Sequence, residues 1–493
     1  MTRWAQPLLQ FCAGAVSVAA FAPLGWFPLG ILSLACLFHG WLRTESARQA
    51  ALLGFAWGLG CFLAGISWVY VSMHVVGGMP APVAALMTLL FCAYLALFPA
   101  FAGWFALRLR TGPLLSVLSL AAAWVLGEWL RGMVATGFPW LAIGYAHSPP
   151  SPLAGYAPLL GVYGVSLAAA VLAAAIAQLG FIRRPLLGLL ALCLALPLGG
   201  AVLRTVHWTQ TQGEPFSVSL LQGNVAQSLK WDPERLGLSL ETYATLAKAH
   251  PAQLIVLPET AIPLLFSEVP KDYLQQLAGK SSHVLIGAAV TVRDEKRPDG
   301  YANGAVLLSP ELTASAYFKR HLVPFGEFVP PAFRWFLDLM HIPMSNFTAG
   351  PETQPPLQFG GQKVMPNICY EDLFGEELIR DVPQSSLLIN LSNTAWFGDS
   401  LAQPQHLQIA QMRALETGRM MLRSTNTGMT AAISTDGTVM AALPPFTRDA
   451  LTVQAQGYVG LTPYVMVGNL GVGLLLFVII WLSAREVRRL RQQ

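Results

Sequence analysis

Charge is what this chain has least of. Only 11% of its 493 residues are Asp, Glu, Lys or Arg, and 54% are hydrophobic, where an ordinary soluble protein carries roughly 25% charged residues. The shortage is uneven: residues 1–204 hold nine Arg, two acids (Glu45 and Glu128) and no Lys, and Gln49 to Leu107 carries no charge at all. The basic residues sit at the ends of apolar runs and form no patch, which excludes nucleic-acid binding. Cysteine is equally sparse. Five of the six (Cys12, Cys36, Cys61, Cys92, Cys193) lie in apolar runs, so Cys369, alone in the hydrophilic part, has no partner for an intradomain disulfide. It is either a buried, inert thiol or a nucleophile. The histidines of the hydrophilic part (His207, His250, His283, His321, His341, His406) are scattered without metal-ligand spacing, and no glycine-rich phosphate loop, internal repeat or low-complexity tract is present.

What the chain does have is apolar length. A bilayer-spanning helix needs about 20 mostly apolar residues, and the pattern predicts eight spans, near 6–22, 25–42, 51–72, 81–106, 113–130, 154–180, 185–203 and 466–484. Arg3, Arg43 with Arg48, Arg108 with Arg110, and Arg183 with Arg184 fall at alternate ends, and Arg485, Arg488, Arg489 and Arg491 flank the last span. By the positive-inside rule all of them mark one side, with both termini cytoplasmic and the long insert outside, in the periplasm of a Gram-negative cell. Ala20-Phe21-Ala22 loosely matches a signal-peptide cleavage site, but one Arg is a thin leader, and the remaining topology is the same either way. Glu128 and Arg131 share a helix face and can pair. The aromatic Gly137 to Tyr145 stretch after them reads either as an interfacial belt or as a loop that shapes an opening for an acyl chain. The predicted organisation is a membrane domain over 1–204, a soluble domain over 205–465, and an eighth span with a basic tail over 466–493.

In the insert, Phe216 to Gln222 alternates as a strand, Pro233 opens a helix through Ala249, and Leu254 to Leu257 reads as a buried strand ending at Pro258-Glu259-Thr260. Further strands are expected at 283–292, 302–309, 314–319, 362–369, 386–391 and 429–435, with a helix from Gln403 to Gly418. Strands alternating with helices argue an α/β layered domain. Glu259, Lys319 and Cys369 each stand at a strand end. A thiol is mostly protonated at neutral pH and needs a base or cation to become a nucleophile. Glu259 can take its proton. Lys319, with a backbone N–H near Tyr370, can stabilise an oxyanion.

The order Glu, Lys, Cys within a strand–helix alternation resembles the nitrilase superfamily, which implies an α-β-β-α sandwich. Nearly the whole chain is similar to a narrower family, the bacterial apolipoprotein N-acyltransferases. The motifs that carry this are Glu128-Trp129-Leu130-Arg131-Gly132, Gly137-Phe138-Pro139-Trp140, Gln222-Gly223-Asn224, Lys230-Trp231-Asp232-Pro233 and Leu257-Pro258-Glu259-Thr260. Lys319 through Pro330, Cys369-Tyr370-Glu371-Asp372 and Asn393-Thr394-Ala395-Trp396-Phe397-Gly398 complete them.

The resemblance implies an inner-membrane enzyme without metal or cofactor. Its Cys369 would take the sn-1 acyl chain of a phospholipid, phosphatidylethanolamine by expectation, as a thioester. It would then pass the chain to the N-terminal amine of a diacylglyceryl-cysteine apolipoprotein, the last step of lipoprotein maturation. Glu327, Trp231, Tyr370, Glu371 and Trp396 match family positions that line or support the site, with Glu327 and Glu371 expected to orient Lys319 and the strand ends. The Phe266 region, Pro330 to Phe336 and Met340 to Met344 are apolar enough to dip into lipid or close over the site. A membrane-bound amidase with the same three residues is the nearest alternative. A transporter would need ionisable residues in mid-span, and a non-catalytic scaffold would leave Glu259, Lys319 and Cys369 without a use.

Overall fold

The computed structural model describes residues 4–179, 186–226, 236–294, 297–329 and 346–492. They form two compact units. One comprises Met1–Tyr70, Ala81–His207 and Thr462–Gln493, and the other Val71–Pro80 and Trp208–Leu461.

The first unit is helical. Among the described residues, Ala47–Gly65, Ala81–Arg108, Pro113–Arg131, Pro152–Leu179 and Leu470–Gln492 are long and apolar enough to cross a membrane. Ala5–Ala20, Phe27–Leu42 and Leu187–Leu203 are shorter apolar helices. Small residues set how closely they pack: a Cβ on Gly14 would lie 1.9 Å from the Trp57 carbonyl oxygen, and one on Gly60 would lie 2.0 Å from that of Phe11. Only glycine lets these backbones approach so closely without a polar driving force.

Two helix ends differ from the sequence expectation. The third helix stops at Gly65, where the Trp68 indole N–H donates to the Gly65 carbonyl at 3.2 Å and Ile66 leaves helical geometry. A π-turn over Ser72–Val76 follows. The last long helix begins only at Leu470, because a short turn, Pro463–Val467, capped by Thr462, ends at Gly468 with φ of 56°. The aromatic stretch after Arg131 is interior: Trp140 and Tyr145 are each 1% exposed, so they do not form an interfacial belt. Arg131 Nη1 donates to the Phe138 and Trp140 carbonyls, and Glu128 Oε1 accepts from the Ile143 N–H. The two charges tie this loop down.

The second unit is a pair of stacked mixed sheets. The first holds β1 (Gln210–Gln222), β2 (Leu254–Val256), β3 (Ile262–Leu265), β4 (His283–Asp294), β5 (Arg297–Leu308), β6 (Ala314–Phe318) and β13 (Asp449–Val459), in the order β13-β1-β2-β4-β5-β6 with β3 beside β4. The other holds β7 (Leu357–Phe359), β8 (Gln362–Ile368), β9 (Leu387–Ser392), β10 (Met421–Thr425), β11 (Ala431–Ile433) and β12 (Val439–Ala442), in the order β12-β11-β10-β9-β8-β7. The parallel pairs β1–β2, β2–β4, β8–β9 and β9–β10 form the sheet centres, and every residue of β9 and β10 is buried. Parallel strands are stable when both faces are covered.

Helices supply the covers. Leu236–Ala249 and Lys271–Ala278 lie on the first sheet through a core of Leu221, Tyr243, Ile255, Leu274, Leu277 and Ile286, and Ala402–Thr417 lies on the second sheet. The result is an α-β-β-α sandwich. Ser424 Oγ stitches the sheets by donating to the Leu221 and Val256 carbonyls. Phe266 packs against the first-sheet core instead of extending outward, since burial of its ring is worth more there than in water. The other two apolar loops, 330–336 and 340–344, lie outside the described residues.

Candidate active site

Parallel strands deliver their carboxyl ends to one edge, where ligands bind in open α/β sheets. Glu259 follows β2 and Cys369 follows β8, while Lys319 directly follows β6. The structure brings Glu259, Lys319 and Glu327 into one buried cluster. Lys319 Nζ donates to Glu327 Oε1 at 2.9 Å and to Glu259 Oε1 at 3.4 Å, with Lys319 only 1% exposed. Asn303, from the middle of β5, donates its Nδ2 to the same oxygens of Glu259 and Glu327, each at 2.8 Å. The remaining carboxylate oxygens accept from backbone: Glu259 Oε2 from Asn393 N–H and Glu327 Oε2 from Val323 N–H, each at 2.8 Å. Both carboxylates are thereby held in fixed orientation.

Burial alone would push the Lys319 ammonium down, but Glu327, Glu259 and Cys369 outweigh it and hold it above its ordinary value. It is a permanent cation. Cys369 shifts in the same direction with the opposite consequence for charge: burial first, then the Glu259 carboxylate, push its thiol well above the ordinary range, against a smaller pull from Lys319. At neutral pH it rests as a neutral thiol, and attack requires a base to take the proton as the new bond forms. The rate of Cys369 alkylation by iodoacetamide, followed by peptide mass, is therefore expected to rise with unit slope past the ordinary thiol pKa of about 8.5. A plateau near neutrality would overturn that protonation state.

Cys369 opens a 3₁₀ turn, Cys369–Leu373, with φ of 52°. A non-glycine residue in the left-handed region costs about 1–3 kcal/mol and persists only where its surroundings over-determine it. Glu371 supplies much of that restraint. Its carboxylate accepts from the Ile368 N–H at 2.6 Å, the Arg320 N–H at 2.7 Å and the Tyr317 hydroxyl at 3.0 Å. It thus joins the end of β8 to the end of β6. Tyr370 turns away into an aromatic group with Phe374 and His321, at centroid distances of 5.1 and 5.7 Å. Trp396 is half-buried in the 3₁₀ turn Thr394–Phe397, next to Asn393, and its carbonyl accepts from Ser72 Oγ at 2.8 Å. Trp231 lies outside the described residues.

Sequence reasoning missed Asn303 and the backbone role of Asn393. The signal for Asn303 was an amide in an otherwise apolar strand, Tyr301 to Leu308, where a buried polar group must be satisfied. Gly287 carries a second constraint, because a Cβ there would lie 2.3 Å from the Pro258 oxygen and 2.6 Å from Glu259 Cα. Gly287→Ala is expected to push Glu259 off its donors and slow turnover on the order of 10²-fold, as a displacement near 1 Å does. Steady-state kinetics beside a thermal melt would check this, and an unchanged rate would show that β4 yields instead.

Two family models match the chain. The apolipoprotein N-acyltransferase N-terminal domain covers residues 13–175, and carbon-nitrogen hydrolase covers residues 217–464. Curated relatives include apolipoprotein N-acyltransferases from Nitrosomonas europaea, 47% identical over 95% of this chain and 95% of that protein, and from Chromobacterium violaceum, 48% identical over 96% and 93%. Among solved structures, a carbon-nitrogen hydrolase from Helicobacter pylori aligns at 17% identity over 49% of this chain and 89% of that one, with a TM-score of 0.38.

Proposed function

We propose, since this chain belongs to the apolipoprotein N-acyltransferase family, that it transfers a fatty acyl chain from a phospholipid to the N-terminal amine of a diacylglyceryl-cysteine apolipoprotein through a thioester on Cys369. Glu259 takes the thiol proton while Sγ attacks the sn-1 ester carbonyl. The oxyanion forms against Lys319 Nζ and the backbone N–H of Tyr370. As the tetrahedral species collapses, the ester C–O bond breaks, Glu259 returns the proton to the leaving oxygen, and lysophospholipid departs. The acceptor amine then attacks the thioester, Glu259 receives its proton, and the C–S bond breaks to restore the thiol.

The observation that carries this reading is the buried Glu259–Lys319–Glu327 cluster, in which a fixed carboxylate and a permanent cation act on the Cys369 thiol. The five long and three short apolar helices support eight spans. The arginines at alternate ends support cytoplasmic termini and a periplasmic catalytic domain. Phosphatidylethanolamine is the proposed donor. Lipid-anchored substrates on both sides of the reaction give a membrane-held nucleophile a purpose that a small soluble amide would not.

Intact mass spectrometry of the full chain in detergent, after incubation with phosphatidylethanolamine, tests the mechanism. The expected result is an added acyl mass that hydroxylamine removes, that a diacylglyceryl-cysteine peptide discharges, and that Cys369→Ala lacks. A folded wild-type protein that acquires no acyl mass would overturn the phospholipid-donor mechanism and leave amide hydrolysis to be assayed.

A further inference from the structure

Behind the cysteine turn lies a second buried polar group that the mechanism above does not use. Asp372, three residues after Cys369, accepts from His406 Nε2 at 2.8 Å and from Arg423 Nη1 at 3.0 Å. Arg423 Nη2 stands 2.8 Å from His406 Nδ1. A guanidinium only donates, so Nδ1 accepts and the proton of a neutral imidazole sits on Nε2, facing Asp372. Burial and the arginine both lower the His406 pKa, in keeping with a neutral ring.

Arg423 Nη1 also donates to Asn390 Oδ1 at 2.9 Å. Asn390 Nδ2 in turn reaches Asn367 Oδ1 at 2.6 Å and the carbonyl of Cys369 at 3.3 Å. Asp372, His406, Arg423 and Asn390 are each 0–1% exposed. They come from the cysteine turn, the helix Ala402–Thr417, β10 and β9 respectively, so one closed circuit of hydrogen bonds spans four elements and ends on the nucleophile's own backbone.

The arrangement is more than a satisfied core. Apolar residues would fill this space between helix and sheet without an ion pair, whose desolvation is costly. Directional bonds do what apolar packing cannot: they fix the rotation of the Cys369 peptide, and with it the direction of Sγ at a φ that the residue would not adopt unaided. We infer that Asp372, His406, Arg423 and Asn390 are positioning residues that aim the Cys369 thiol at the ester carbonyl. This rests on the nucleophilic role proposed above for Cys369.

The test uses the full chain in detergent and single-turnover acylation by phosphatidylethanolamine. His406→Met removes both imidazole bonds at similar volume. His406→Gln keeps one acceptor for Arg423 and one donor for Asp372. Asn390→Asp keeps the contact to Arg423 but replaces the amide that faces the Cys369 carbonyl with an oxygen. Expected are acylation rates lowered on the order of 10–100-fold for His406→Met and Asn390→Asp, as for a misaimed nucleophile, with the donor KM unchanged and most of the rate kept in His406→Gln. Folded His406→Met and Asn390→Asp proteins acylating at the wild-type rate, or losing only KM, would overturn the inference. Should His406→Met not fold, Asn390→Asp decides alone by the same criterion. Alkylation of Cys369 by iodoacetamide separates the two claims. If wild type forms no thioester yet alkylation slows in the variants, positioning stands and the transfer mechanism falls. If wild type acylates and the variants match it, positioning falls alone.

Discussion

Lys319→Met is expected to abolish acyl transfer and to destabilise the two-sheet unit together. The ammonium is almost fully buried and is the cation shared by Glu259 and Glu327, at 3.4 and 2.9 Å. Removing one partner of a buried ion pair typically costs about 3–5 kcal/mol, because the other charge stays behind unpaired. Here two carboxylates stay behind, both bonded to the one Asn303 amide. Like charges so placed cannot both remain ionised, so one of them takes up a proton. If Glu259 does, the base is lost along with the oxyanion partner, whose removal alone costs about 10²–10³-fold. The double variant Lys319→Met/Glu327→Gln separates the two effects: it removes the like-charge conflict, so the melting temperature should recover while transfer stays absent. Recovery of transfer in that double variant would show that Lys319 only balances charge.

Glu259→Gln should move two rates in opposite directions. Loss of a general base lowers catalysis about 10²–10⁴-fold, so thioester formation should fall by that much. The Glu259 carboxylate also raises the Cys369 thiol pKa, whereas Lys319 lowers it. Neutralising Glu259 leaves the lysine less opposed, the thiol pKa falls, and at a fixed pH the thiolate fraction grows. Iodoacetamide, which needs thiolate and no base, should then alkylate Cys369 faster in the variant than in wild type. An unfolded chain would also release the thiol from burial and alkylate faster, so both rates are read on a variant whose melting temperature matches wild type. Equal or slower alkylation, measured at one pH on both proteins, would contradict the electrostatic assignment of the site.

Much of this arrangement was legible in the residues, and the illegible part has a physical cause. Apolar runs announced the helices, since nothing but burial or lipid tolerates Gln49 to Leu107 without a charge. Strands such as Leu254–Val256 and Leu387–Ser392 showed as short apolar runs between turns. The strand Met421–Thr425 did not, because Arg423, Ser424 and Thr425 read as surface residues. All three are buried, satisfied by Asp372 and Asn390, by the carbonyls of Leu221 and Val256, and by Thr430. Polarity misleads wherever partners come from distant sequence. The same holds at the site. Glu259, Lys319 and Cys369 stood out as chemistry at strand ends. Asn303 and His406 act through contacts 24 to 44 and 34 residues away in sequence, which no local pattern reports.

Strand β1 and strand β13 open and close the longer segment of the second unit, Trp208–Leu461, and they run antiparallel from Gln210↔Val459 to Gln222↔Asp449. Its first and last strands are thus neighbours, and the chain comes in and goes out within about 5 Å, the spacing of paired strands. In the language of modular evolution this segment has the leads of a cassette, emerging side by side, while Val71–Pro80 joins the same unit from elsewhere in the chain. Any host chain with a turn at a suitable surface can accept such leads without moving the residues on either side of the splice. By the same token, the paired strands hold the two ends of the segment together whatever the chain does before Gln210 and after Val459.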